Sequence, residues 1–211
     1  MPYLHEFLMI TIIHLLAVMS PGPDFAIVVN QSLRFGRKTA IITSLGIGAG
    51  ISVHVAYTLL GIGFIITQSR PIFIGIQIIG ALYLTYLGLS LLFNKKNIGV
   101  NEEQLENVSV GESHHKKAFL LGFLTNLLNP KAAFFFLAIF TTIVSVNTPF
   151  MVQSIYGVWI ISSTILWFTL VSFLFTQERI RSKFIRYSVV FERIMGVVLL
   201  LFAVRLALEF I

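Results

Sequence analysis

Prolines interrupt the apolar sequence at two places: Ser20-Pro21-Gly22-Pro23-Asp24 and Asn129-Pro130-Lys131. The first interrupts an apolar run over residues 4–33, and the second interrupts an apolar run over residues 118–146. Each proline removes a backbone hydrogen bond from a helix, and glycine adds flexibility. At membrane depth, backbone groups freed in this way are tolerated only where protein or a watery cavity satisfies them. The two stretches therefore predict broken membrane helices around an internal cavity.

The rest of the chain is equally apolar. Of its 211 residues, 56% are hydrophobic and only 11% are charged, whereas a typical soluble domain carries about 25% charged residues. Four further apolar runs cover residues 39–67, 71–93, 151–176 and 189–208. A transmembrane helix needs about 20 residues, so we predict an all-α integral membrane protein with six transmembrane helices, of which helices 1 and 4 are broken by proline. This composition excludes a soluble enzyme, a nucleic-acid-binding protein and a large peripheral domain.

The basic residues indicate how the chain is oriented. Twelve of the fifteen lysines and arginines follow the first, third and fifth apolar runs. Basic residues concentrate in cytoplasmic loops, so these three loops are predicted inside and both termini outside. Two halves of three helices each then have opposite orientations. We predict a 3+3 inverted repeat: a first repeat at 1–93, a cytoplasmic linker at 94–117 and a second repeat at 118–211.

One acidic and one basic residue lie at the two breaks. Asp24 is the only aspartate of the chain, and Lys131 is the only lysine inside an apolar run. A charge at the bilayer centre costs about 2.5–3.5 kcal/mol on insertion scales, so each needs a reason. Either the two charges pair and hold the halves together, or they bind a ligand that carries both charges.

We favour the ligand, because broken helices at matching positions mark the substrate site of inverted-repeat transporters. Lys131 and the amides of a restarting helix suit a carboxylate, and Asp24 with freed carbonyls suits an ammonium group. That combination is a receptor for an α-amino acid zwitterion. The predicted substrate-binding residues are Asp24, Lys131, Pro21, Gly22, Pro23, Asn129 and Pro130.

The second apolar run carries a further pattern. At helical spacing, one face collects Gly46, Gly50, His54, Tyr57 and Gly61. Glycines at such spacing favour close helix packing, within one chain or in a homo-oligomer. A histidine on this face is either a buried, hydrogen-bonded core residue or a proton-coupling group, because histidine titrates near neutral pH. The candidates for proton coupling or cavity lining are Asp24, His54, Tyr57 and Asn126.

The stretches around the breaks resemble the LysE/RhtB family of amino-acid exporters, of the lysine exporter and homoserine-threonine exporter type. The resemblance covers essentially the whole chain, and it implies proton-driven efflux of amino acids across a bacterial cytoplasmic (inner) membrane. Substrates of the family include basic and small neutral amino acids, and we expect small neutral or hydroxy amino acids such as threonine or homoserine. The resembling stretches are Ser20-Pro21-Gly22-Pro23-Asp24, Gly46-Ile47-Gly48 followed by His54, Gly80-Ala81-Leu82-Tyr83-Leu84 with Tyr86-Leu87-Gly88, and Leu128-Asn129-Pro130-Lys131-Ala132-Ala133.

Other functions fit the sequence less well. The chain has no cysteine, which excludes disulfides and thiolate metal sites. An intramembrane aspartyl protease needs two aspartates, and a zinc protease needs a second histidine where Met9 lies. We therefore predict neither an enzyme nor a cofactor. The alternative is a metal-cation exporter of the same superfamily, although the apolar runs offer such an ion only Asp24, His14 and His54.

Overall fold

A computed structural model describes residues 2–20, 22–68, 70–93, 114–145, 147–175 and 177–208. Within these ranges the chain is helical and contains no strand, which confirms the all-α prediction. Eight helices occupy the described residues: α1 (Pro2–Met19), α2 (Pro23–Phe35), α3 (Arg37–Gln68), α4 (Arg70–Phe93), α5 (His114–Leu127), α6 (Pro130–Ile143), α7 (Phe150–Leu174) and α8 (Glu178–Leu208).

The chain bends at both predicted breaks. The α1–α2 pair is bent by 54° and the α5–α6 pair by 56°. Pro23 and Pro130 each occupy the first turn of the restarting helix, where the amide that proline lacks would have no helical partner in any case. Gly22 lies before α2 in an extended conformation, and Asn129 caps α6. Pro21 lies outside the described residues.

The helix lengths agree with a multi-pass membrane protein. Residues Arg37–Gly61 of α3 and Phe150–Leu174 of α7 are each long and apolar enough to cross a membrane. Each bent pair qualifies as one further span, so the described residues supply up to four spans. The complete set of six transmembrane helices and their inverted repeat remains a prediction.

Helix α3 packs closely on α5 through glycines. A side chain at Gly46 would collide with the backbone carbonyl of Phe119, and one at Gly122 would collide with the carbonyl of Thr43. A Cβ atom at Gly50 would lie 2.8 Å from Oδ1 of Asn126. The glycine face of α3 therefore packs against α5 at Gly46 and Gly50, as predicted. Gly61 takes no part, because a Cβ there would meet no atom within 4 Å.

Two apolar clusters enclose the breaks. One is built from α2, α3 and α7 and includes Phe25 and Phe168. The other joins α1, α3, α4, α6, α7 and α8 and includes Ile51 and Phe136. Residues of both clusters line a single cavity, so the cavity lies where the clusters meet.

Candidate functional site

The two breaks open onto the same cavity. It has a volume of about 60 Å³, several times the roughly 10–15 Å³ that admits one water molecule. The beginnings of α2 and α6 both line it, through Asp24 and Lys131 among others. Its apolar walls include Ile51, Phe136 and Phe168. Of the predicted substrate-binding residues, those on this cavity are Gly22, Pro23, Asp24, Asn129 and Lys131.

Asp24 lines this cavity, and only one of its two carboxylate oxygens has a hydrogen-bond partner among the described residues. It lies in the first turn of α2, where the helix dipole favours a negative charge. Its Oδ2 accepts a hydrogen bond of 2.9 Å from Nδ2 of Asn126. Its Oδ1 is buried and has no hydrogen-bond partner among the described residues. A buried acceptor without a partner is costly, so a ligand that donates a hydrogen bond there would be stabilised.

Lys131 presents a positive charge at an unusual place. It occupies the first turn of α6, at the positive end of the helix dipole, where a cation is disfavoured and an anion is favoured. Its backbone N–H donates to Oδ1 of Asn129 at 3.0 Å, and its Nζ donates to Oγ of Ser20 at 3.3 Å. The ammonium group and the helix end together form a site suited to a carboxylate.

The two charges do not form a salt bridge. No nitrogen–oxygen distance between Asp24 and Lys131, both of which the structure describes, meets the 4.0 Å limit for an ion pair. Each charge still attracts the other across the cavity. Each is instead hydrogen-bonded to a neutral side chain, Asp24 to Asn126 and Lys131 to Ser20.

A second carboxylate, which the sequence pattern did not single out, acts on Lys131. Glu192 of α8 is buried, with 8% of its surface exposed, and its charge attracts the Lys131 ammonium. Its position beside Arg193 near the start of the sixth apolar run makes it look like part of a charged loop. One feature of the sequence does distinguish it: Glu192 is the only acidic residue in residues 189–208.

His54 and Tyr57 lie behind the cavity wall and connect to it through Asn126. Nε2 of His54 is 3.1 Å from the backbone oxygen of Asn126, and Nδ1 is 3.0 Å from the hydroxyl of Tyr57. The Tyr57 hydroxyl also lies 3.3 Å from the backbone oxygen of Ala133. The predicted proton-coupling residues therefore form a chain of contacts: Asp24, Asn126, His54 and Tyr57.

The hydrogen atoms along this series of contacts can be arranged in two ways. The carbonyl of Asn126 can only accept, so Nε2 of His54 carries a proton. A neutral His54 then accepts from the Tyr57 hydroxyl at Nδ1. A protonated His54 donates to that hydroxyl instead, which releases the hydroxyl hydrogen toward Ala133. The observed distances accommodate both protonation states.

The sequence pattern also gave no sign that His14 belongs to this site. It is buried on α1 and lines the cavity. Its Nε2 is 3.0 Å from Oγ1 of Thr164 on α7. Sequence spacing alone could not identify this partner, which is 150 residues away. Nowhere in the described part of the chain, this cavity included, are three histidine, aspartate or glutamate side chains grouped so as to hold a metal ion.

Comparison with known proteins identifies the family. The LysE type translocator family matches residues 15–210. The threonine efflux protein of Escherichia coli is 34% identical over 187 residues, which cover 86% of this chain and 87% of that protein. The uncharacterized membrane protein YrhP of Bacillus subtilis is 28% identical over 98% of this chain and 100% of its own length. No solved structure matches the chain. The chain therefore belongs to the LysE type translocator family and is a multi-pass membrane transport protein.

Proposed function

We propose that this protein exports small neutral or hydroxy amino acids, such as threonine or homoserine, from the cytoplasm across a bacterial inner membrane. The observation that carries the proposal is the cavity at the two helix breaks, where Asp24 and Lys131 face each other without an ion pair. Family membership and the threonine efflux proteins among the relatives support the substrate class. Lys131 on the cavity wall disfavours a metal cation as cargo.

The amino acid binds with its two charged groups at the two breaks. Its carboxylate accepts hydrogen bonds from Lys131 at the positive end of α6. Its ammonium group donates to Oδ1 of Asp24, the oxygen that has no hydrogen-bond partner among the residues that the structure describes. Both protein charges are then neutralised by opposite charges of the ligand, which offsets the cost of placing them in the membrane.

Transport follows from the proposed inverted repeat. The halves 1–93 and 118–211 each begin with a bent helix pair, and the distribution of basic residues orients both termini outside. Rocking of one half against the other around the fixed site exposes the cavity alternately to the two sides of the membrane. The linker at 94–117 connects the halves on the cytoplasmic side.

The chain of contacts through Asn126 provides the proposed coupling to protons. Protonation of His54 reverses the hydrogen bond with Tyr57 and adds a positive charge beside the backbone of Asn126, whose side chain holds Asp24 at the ammonium site. Besides Asp24 and Tyr57 themselves, the charged and titratable groups around these contacts are Lys131 on α6, Glu192 on α8 and His14 on α1. A proton taken up from outside would thereby weaken the hold on the ammonium group and release the substrate.

Efflux from cells loaded with a dipeptide tests the proposal. Cells that produce the protein should release the constituent amino acid faster than cells without it, and a protonophore should slow that release. Asp24→Asn and Lys131→Gln should abolish the difference at normal membrane levels of protein. Lys117→Gln, an exposed lysine of α5, is the matched control and should export normally. Undiminished export of every amino acid by both site variants would refute the site assignment.

A further inference from the structure

His14 lies in the cavity at a distance from the two charges. It precedes Ser20, the partner of the Lys131 ammonium, by six residues along α1. At 1.5 Å per residue, that separation is about 9 Å along the helix. The side chain is only 2% exposed and lines the same cavity as Asp24 and Lys131. The cavity therefore has a charged end and, farther along α1, a second polar position.

That second position has unused hydrogen-bonding capacity. Nδ1 of His14 is buried and makes no hydrogen bond to any residue that the structure describes. Buried polar atoms are nearly always paired with protein or an ordered molecule. Nε2 is held by Thr164 at 3.0 Å and the backbone of Ile160 also hydrogen-bonds the ring, so Nδ1 is the ring atom that these contacts leave without a partner.

The contact with Thr164 leaves the direction of this second bond open. If Nε2 donates to Thr164, Nδ1 is an acceptor; if Nε2 accepts from Thr164, Nδ1 carries the hydrogen and donates. A hydroxyl group satisfies either state, because it both donates and accepts. A methyl group satisfies neither and would leave Nδ1 buried without a partner.

We propose that His14 binds the side-chain hydroxyl of the exported amino acid and so selects hydroxy amino acids over apolar ones of the same size. Thr164 is a positioning residue that holds the imidazole ring. This inference rests on the proposed export function and adds the specificity-determining residue to it.

Competition between isosteres tests the proposal. Threonine and valine differ only by a hydroxyl in place of a methyl group, so their relative export rates report on that contact. The wild-type protein should prefer threonine by at least about tenfold, because a site built to hydrogen-bond a hydroxyl strongly rejects the analogue that lacks it. His14→Phe should reduce the preference to within about twofold while export of valine persists. His5→Phe, an exposed histidine on the same helix, should leave the preference unchanged.

Two further variants keep the test decisive. Thr164→Val should weaken the preference for threonine without abolishing export, and His14→Asn should retain part of it because asparagine still hydrogen-bonds. If His14→Phe does not reach the membrane, the preference of these two variants for threonine over valine tests the proposal. A preference for threonine that survives every change at His14 and Thr164, or a wild-type protein that exports both amino acids equally, would overturn the inference. A wild-type protein that exports no amino acid at all would instead refute the proposed function.

Discussion

Asp24 and Lys131 line one cavity, yet each is hydrogen-bonded to a neutral side chain and not to the other. Asp24 accepts from Asn126 at 2.9 Å, and Lys131 donates to Ser20 at 3.3 Å. Two opposite charges in a low-dielectric interior would gain from direct contact. Their separation leaves the space that a zwitterion would occupy.

Asn126 should be required for export because its side chain donates a hydrogen bond of 2.9 Å to the Asp24 carboxylate, which the side chain of Asn129 also hydrogen-bonds. A hydrogen bond to a charged group contributes about 1.5–3 kcal/mol, so Asn126→Leu should lower the initial rate of efflux by roughly 10- to 100-fold. The rate is measured per amount of protein in the membrane. Asn147→Leu, at an exposed position between α6 and α7, is the control. Export by Asn126→Leu within twofold of wild type would contradict the role assigned to Asn126.

The α3–α5 contact should tolerate no side chain at Gly46. A Cβ atom there would collide with the Phe119 carbonyl, whereas one at Gly61 would meet no atom within 4 Å. Both glycines lie in α3, so alanine improves helix propensity equally at the two sites. Gly46→Ala should therefore lower the yield and the thermal stability of the detergent-solubilised protein, and Gly61→Ala should leave both unchanged or raised. Equal behaviour of the two variants would show that α3 and α5 pack differently.

Removing the Tyr57 hydroxyl should slow transport without weakening substrate binding. Tyr57→Phe leaves Nδ1 of His54 without its partner, and a hydrogen bond of this kind contributes about 0.5–1.5 kcal/mol. The maximal export rate should fall by roughly 2- to 10-fold, and the stimulation of export by an inward proton gradient should shrink. Tyr86→Phe, at an exposed tyrosine of α4, should match wild type. A proton response that is unaltered in Tyr57→Phe would remove Tyr57 from the coupling chain.

Glu192 should compete with the substrate carboxylate for Lys131. Its charge attracts the ammonium group and repels a carboxylate bound beside that group, so Glu192→Gln should lower the KM for export. Arg193→Gln, at the exposed neighbouring position, should not change the KM. A raised KM in Glu192→Gln would mean that Glu192 supports binding and does not oppose it.

Sequence reasoning located the breaks better than their contacts. The prolines and the two isolated charges drew attention to Asp24 and Lys131. A proline or a charge inside a membrane helix costs free energy whatever surrounds it. Helical spacing placed His54 on the face that packs against α5 and α6. It could not show that Lys131 bonds Ser20, that Asn126 bonds Asp24, or that His14 reaches the cavity. Those contacts join residues more than 100 positions apart and depend on how the helices cross, which periodicity along one helix does not determine.

In the proposed site, Lys131 binds the carboxylate of the substrate and Asp24 binds its ammonium group. This assignment is tested by measuring the affinity of the purified protein for threonine, its carboxamide and its N-acetyl derivative, with wild type, Lys131→Gln and Asp24→Asn. Wild type should bind threonine tightest. Lys131→Gln should lose only the discrimination against the carboxamide, and Asp24→Asn should lose only the discrimination against the N-acetyl derivative. If both variants kept the wild-type order of affinities for the three ligands, the two charges would not be the binding groups.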